Sequence, residues 1–188
     1  METIHKNNRL SEHASDFFNR LRNYLDTKLY FYGSILRTDY LPGQSDIDVD
    51  IFTDNEAQII SQMSAFLHIP KQKFKKIILR SSSSKLNNNL FQNGSPSSNL
   101  IHGHKVTYYD MDNSLKVEFS IYNEKNKREI LMVHLSKSNL PIHASFLLWI
   151  LKILFYHLQL ISTENYRFLK HNTLSLLIGI PETDFVKI

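Results

Sequence analysis

The most regular pattern in the chain lies at 46–52, where Ile47, Val49 and Ile51 alternate with Asp46, Asp48 and Asp50. Successive side chains of a strand point to opposite faces, so this segment predicts a strand with one apolar and one acidic face. Helical spacing precedes it. Ser11 suits an N-cap, and Ala14, Phe17, Phe18, Leu21 and Leu25 share one face of a helix expected to end near Lys28. The apolar run 29–32 reads as a short buried strand closed abruptly by Gly33. A second helix is predicted from Asp54, with Ile59, Ile60, Met63, Phe66 and Leu67 turned inward and Pro70 as its stop.

Further strands are expected at 74–79, 104–110 and 115–122, the last two joined by a turn at 111–114. In the last run Val117, Phe119 and Ile121 share one face, which leaves Lys116, Glu118 and Ser120 on the other. The segment 81–99 is rich in serine and asparagine, keeps neither periodicity, and is expected to be a mobile loop. After Asn123 the pattern turns helical, with 166–180 as a last helix closed by Gly179 and Pro181. Together these elements predict an α/β (α+β) fold. It has a small mixed β-sheet with helices packed on one side over 1–124, and a C-terminal helical segment over 125–188.

With 188 residues, 42% of them hydrophobic, the chain can bury a core without staples. It has no cysteine, which excludes disulfides, thiolate metal sites and cysteine nucleophiles and favours a cytoplasmic setting. The formal net charge of +4 is compatible with a polyanionic partner but far from polybasic. The polar stretch 1–10 lacks the apolar centre of a secretory signal. The apolar stretch 144–161 contains Lys152, His157 and Gln159, and a central lysine costs about 2.5–3.5 kcal/mol on membrane-insertion scales. It is therefore read as a helix buried in protein, with 146–161 available for an oligomer contact, and no membrane partner is expected.

Asp46 and Asp48 project together from one face, and two carboxylates that close repel unless a cation lies between them. Hard divalent ions favour such all-oxygen sites. A calcium loop beginning at Asp46 is excluded, because its sixth position would be Ile51 where glycine is required and its twelfth Ala57 where glutamate is required. Upstream, Gly33 and Ser34 follow an apolar strand directly. Glycine allows backbone amides to approach phosphate closely and the serine hydroxyl adds a donor, so the dipeptide suits a phosphate seat.

The text Phe31-Tyr32-Gly33-Ser34-Ile35-Leu36-Arg37, followed by Ser45-Asp46-Ile47-Asp48-Val49-Asp50-Ile51-Phe52, resembles the nucleotidyltransferase superfamily named for DNA polymerase beta. Within it the small members and the poly(A) and uridylyl polymerases are the nearest in kind. The resemblance covers the organisation of residues 29–122. It implies a nucleotidyltransferase fold, a Gly33-Ser34 turn that holds a triphosphate, and paired magnesium ions, or manganese, on Asp46, Asp48 and a third acid. Glu118, on a later strand, is the choice for that acid, with Asp110 and Asp112 as alternatives; family members often have aspartate there. Arg37 falls where many members carry a phosphate-contacting base, although Thr38 replaces the glycine that often follows it. Asp50 stands where the family usually has an apolar residue. The helix around Lys152 is similar to one in uridylyl and poly(A) polymerases whose lysine faces the triphosphate.

The implied activity is transfer of a nucleoside monophosphate from a nucleoside triphosphate such as ATP to an acceptor hydroxyl, with pyrophosphate leaving. An RNA or DNA 3′ end is one acceptor class and a small molecule or protein another. A non-catalytic, antitoxin-like nucleotide-binding module is the competing class. His102 and His104 share a strand face but have no third metal ligand nearby in sequence, and are read as a surface pair.

Overall fold

A computed structural model describes residues 10–80, 100–138, 140–178 and 186–187 of the chain. The expected loop 81–99 and the closing residues Gly179 and Pro181 lie outside the described residues. The elements in order are α1 (Glu12–Leu25), β1 (Leu29–Tyr32), β2 (Ile47–Thr53), α2 (Glu56–Leu67), β3 (Lys75–Arg80), β4 (Leu100–Asp110), β5 (Leu115–Asn123), α3 (Lys127–Ser138), α4 (Ile142–Lys152), α5 (Thr163–Ile178) and β6 (Val186–Lys187). Short 3₁₀ turns at Gly33–Leu36, Lys71–Lys73 and Glu124–Asn126 link them, and a π-helical turn, Ile153–His157, ends α4.

The caps explain the helix boundaries. The Ser11 hydroxyl accepts from the Ala14 amide at 3.2 Å. α1 stops at Leu25 because Asp26 adopts a left-handed conformation, φ 48°, and returns its amide to the Arg22 carbonyl. Asn55 caps α2 through the Gln58 amide, so that helix starts one turn position later than Asp54 would have begun it.

The described strands form one sheet in the order β1-β2-β5-β4-β3-β6. β2 and β5 run parallel, joined by the long crossover through α2, β3 and β4, while the other neighbours are antiparallel. α1 and α2 pack on one sheet face. Phe17, Phe18 and Leu21 of α1 and Ile59 and Met63 of α2 close over Val49, Val117 and Phe119. The rings of Phe18 and Phe31 meet edge to face at 4.9 Å, as do those of Phe18 and Phe119 at 6.5 Å.

The opposite face is divided along its length. At one end Phe52, Tyr122, Ile77, Leu79 and Ile101 form a second cluster covered by Ile130 of α3. At the other end the same strands present the acidic residues of β2 and β5. The C-terminal helical segment thus contributes, through Ile130, to the cover over the apolar end of this face.

The apolar stretch predicted as one helix over 146–161 is broken. α4 ends at Lys152, the π-helical turn follows, and Gln159 takes φ 50° before α5 starts at Thr163. Only part of the stretch is buried in protein. Lys152 is buried, with Ala144 and Leu148 beside it, while Ile142, Phe146 and Leu160 are exposed. Among the described residues no helix is long and apolar enough to cross a membrane.

Gly103 of β4 sits opposite Tyr122 and Ile77. A Cβ there would stand 2.5 Å from the Tyr122 ring and 2.7 Å from the Ile121 carbonyl oxygen, an atom of the sheet itself. Gly103→Ala is therefore expected to destabilise the fold by about 1–3 kcal/mol. Urea unfolding followed by circular dichroism checks this, and an unchanged midpoint would show that the strands separate freely there.

Candidate active site at the acidic strand

Register brings together residues far apart in sequence. Asp48 of β2 pairs with Glu118 of β5 on one side and with Tyr32 of β1 on the other. Adjacent strands lie about 4.8 Å apart, so the Asp48 and Glu118 carboxylates rise from neighbouring backbones onto one face. The next row along the strands is Tyr30, Asp50, Ser120 and Lys105. Asp46 sits just before β2, at the open end of the same face.

The Gly-Ser turn leans directly on this row. Gly33 has φ 75°, a conformation that side-chain-bearing residues rarely adopt, and a Cβ on it would collide with the Asp48 carboxylate. Ser34 follows in the 3₁₀ turn, whose end is tied by the Arg37 amide donating to the Ser34 carbonyl at 2.9 Å. Ile35, fully buried, anchors the turn from below.

Electrostatically the row is crowded. Burial, then the neighbouring Glu118 and Asp46 charges, push the Asp48 carboxyl up to about 7. Lysines engage the flanking acids. Lys116 Nζ lies 2.9 Å from Asp46 Oδ1 and donates to Oδ2 at 3.1 Å, while Lys105 Nζ lies 2.6 Å from Glu118 Oε1. Among the described residues no three acidic, histidine or cysteine side chains are drawn together into a ready cage. Asp46 and Glu118 each hold an ammonium group on the flank of Asp48.

Asp50, fully buried one row further in, is held by His134 of α3, whose Nε2 lies 2.8 Å from its Oδ2. Burial raises the Asp50 carboxyl and His134 partly offsets that rise. The His134 ring stacks on Tyr32 with centroids 3.8 Å apart. Burial, followed by the Asp50 and Asp48 charges, raises the Tyr32 phenol well above its ordinary value, so it stays protonated.

A second cluster lies in the connection between the turn and the acidic strand. Asp39, fully buried, accepts from Arg37 Nε at 2.8 Å and from Nη2 at 3.1 Å. Lys152 of α4 reaches the same carboxylate at 3.1 Å, and donates to the Asp39 carbonyl at 2.8 Å and the Ser45 hydroxyl at 3.1 Å. The Ser45 hydroxyl in turn accepts from the Leu41 amide at 3.1 Å. Burial raises the Asp39 carboxyl, but Arg37 and then Lys152 outweigh it and hold it below the usual range. Burial lowers the Lys152 ammonium to about 8 despite Asp39.

The nucleotidyltransferase domain family matches residues 12–133, from the first residue of α1 into α3. The chain belongs to that family. The match contains Gly33, Ser34, Arg37, Asp46, Asp48 and Glu118, whereas Lys152 falls beyond it. No curated protein matches the chain. A solved structure of the Cid1 poly(U) polymerase is similar at 18% identity and a TM-score of 0.38, over 78% of this chain and 42% of that one. The nucleotidyltransferase chain thus spans less than half the length of that polymerase.

Structure brings Gly33, Asp48 and Glu118 into contact range and leaves Asp46 beside them. Asp110 and Asp112, the alternatives to Glu118, lie at the β4–β5 turn, where Asp110 receives the Asn113 and Asp112 amides. Arg37 and Lys152 converge, but on Asp39. Sequence reading missed Asp39 altogether, since nothing in its spacing marks a buried carboxylate. It missed Lys105 because the face that residue shares with Glu118 depends on strand register. His104 bonds Glu56 of α2 at 3.0 Å, which accounts for it without a metal.

Because Gly33 has φ 75° and closely approaches Asp48, Gly33→Ala is expected to destabilise the fold by about 1–3 kcal/mol. In a double-mutant cycle with Asp48→Ala a coupling of at least about 0.5 kcal/mol is expected; additive effects would show that the turn and the carboxylate do not touch. Asp39→Asn leaves two buried cations without their counter-charge, with an expected loss of about 3–5 kcal/mol. Adding Lys152→Met removes one of those cations and is expected to restore part of the loss in thermal melts; no recovery would mean that Lys152 does not share the Asp39 site.

Proposed function

We propose that the chain transfers a nucleoside monophosphate from a nucleoside triphosphate to an acceptor hydroxyl, releasing pyrophosphate. The observation that carries this reading is the seating of the Gly33-Ser34 turn against Asp48, which itself stands beside Glu118. A phosphate seat and a carboxylate row in contact are what metal-assisted phosphoryl chemistry requires.

The residues fit divalent ions. Oxygen donors suit a hard cation, and an Asp48 carboxyl pushed to about 7 by burial and then by Glu118 and Asp46 is one whose charged form a bound cation would stabilise. Asp46, Asp48 and Glu118 would hold paired magnesium or manganese ions. When bound, these supply charge neutralisation at the attacking and leaving oxygens and ease deprotonation of the acceptor hydroxyl.

The remaining work belongs to the chain. Gly33 and Ser34 offer backbone amides and a hydroxyl to the phosphates, a contact that needs close approach and hence no side chain at Gly33. Glu118 is placed to take up the acceptor proton. Lys116 and Lys105 pair with Asp46 and Glu118 and would have to be displaced for ions to be held there. Arg37 and Lys152 brace the connection through Asp39 and Ser45, so that Asp46 and Asp48 enter β2 at a fixed height beside the turn. This arrangement supports a positioning role for both cations at least as well as direct phosphate contact.

Purified protein incubated with magnesium and each labelled triphosphate, with a panel of acceptors, is expected to release pyrophosphate. Asp46→Asn and Asp48→Asn are each expected to lower that release by at least about a hundredfold. Asp48→Asn is also expected to leave the metal-free melting temperature unchanged or higher, since it removes a crowded carboxylate. Undiminished turnover in either variant would reject the assignment.

A further inference from the structure

The chain's positive charge is strongly segregated. From residue 57 to residue 109 there is no aspartate or glutamate, while Lys71, Lys73, Lys75, Lys76, Arg80, Lys85 and Lys105 fall within that span. These seven cations exceed the whole chain's formal net charge of +4, so the remainder is net negative. Six of the seven stand on the 3₁₀ turn after α2, on β3 and on β4, and Lys85 lies outside the described residues.

Topology aims part of that group at the acidic row. Lys75 pairs with Lys105, Lys105 with Ser120, and Ser120 with Asp50, so all four stand on the sheet face that carries Asp48 and Glu118. Lys75 lies two strand spacings, about 10 Å, from the strand of Glu118. Lys71 and Lys73 lie in the turn that leads into Lys75 at the start of β3. Lys71, Lys73 and Lys75 are exposed, and among the described residues no carboxylate pairs with them. Exposed ammonium groups clustered next to one another in the chain, with one of them on the face of an acidic centre, suit a linear polyanion.

We propose that Lys71, Lys73 and Lys75 form a docking track for the phosphodiester backbone of a single-stranded nucleic acid whose 3′ end reaches the Asp48–Glu118 row. The identity of that end as acceptor rests on the nucleotidyl-transfer reading; the track itself does not. The track contacts backbone phosphates and leaves the bases unread, so it accepts sequence broadly and weakens with salt.

The test uses the full chain, without metal or triphosphate, and fluorescein-labelled 20-nucleotide single-stranded RNA and DNA across a salt series. The variant Lys71→Ala/Lys73→Ala/Lys75→Ala is expected to lose about tenfold or more in affinity, and its slope of log affinity against log salt is expected to be shallower by about 2. A matched variant with Lys28, Lys125 and Arg128 changed to alanine removes equal charge from other exposed positions and is expected to lose less than about threefold. Equal losses in the two variants, or none in the first with its melting curve intact, would overturn the proposal. So would equally tight, lysine-dependent binding to phosphatidylserine vesicles or polyglutamate, which would assign the surface to a membrane or an acidic protein. Lysine-dependent oligonucleotide binding without any pyrophosphate release would uphold the track and sink the transfer reading; release onto nucleic acid ends that ignores the three lysines would do the reverse.

Discussion

The parallel pairing of β2 with β5 is the contact on which the rest of the molecule depends. It sets Val49 beside Phe119 on one face and Asp48 beside Glu118 on the other, so one register serves both the core and the acidic row. Because side chains alternate, a slip of one residue would turn the carboxylates into the core under α1 and bring Val49 and Phe119 into water. The apolar half of the register thus enforces the acidic half. Phe18, packed edge to face on both Phe31 and Phe119, holds the strand before the Gly-Ser turn to the strand bearing Glu118.

A row of like charges held by a core is strained electrostatically, and the surroundings absorb that strain in two different ways. At the open end, lysines that remain partly in water engage Asp46 and Glu118, contacts that an entering cation can replace at modest cost. Deeper in, Asp50 is sealed against His134, which stacks on Tyr32. That pair converts an acidic residue in a position suited to an apolar side chain into a polar tie between α3 and β2. Among the described residues the two ends of the face thus differ, with partly hydrated partners at one and buried partners at the other.

Asp39 performs a comparable service for the connection. A stretch of ten residues between the 3₁₀ turn and β2 has little regular structure of its own, and a carboxylate gripping Arg37 on one side and Lys152 on the other substitutes for it. The ammonium of Lys152 reaches the site from an apolar helix, its stem passing beside Ala144 and Leu148. The edge of α4 formed by Ala144, Leu148 and Lys152 faces inward, and Phe146 and Trp149 lie outside.

Period-2 alternation in β2 and β5, the helical stripe and Ser11 cap of α1, and the Gly33 stop after β1 were legible without coordinates. Each of these is a local property, governed by side-chain direction, capping or backbone sterics over a few residues. The acidic face of β2 and the family's Gly-Ser with Asp-x-Asp text were legible for the same reason. Pairing was not. That Asp48 stands beside Glu118, 70 residues on, and that Lys152 meets Asp39, 113 residues away, depends on which strands and helices become neighbours, and Lys105 joins through the register of β4 with β5. The burial of Lys152 had the same origin, since hydropathy along α4 says nothing of a carboxylate on a distant loop.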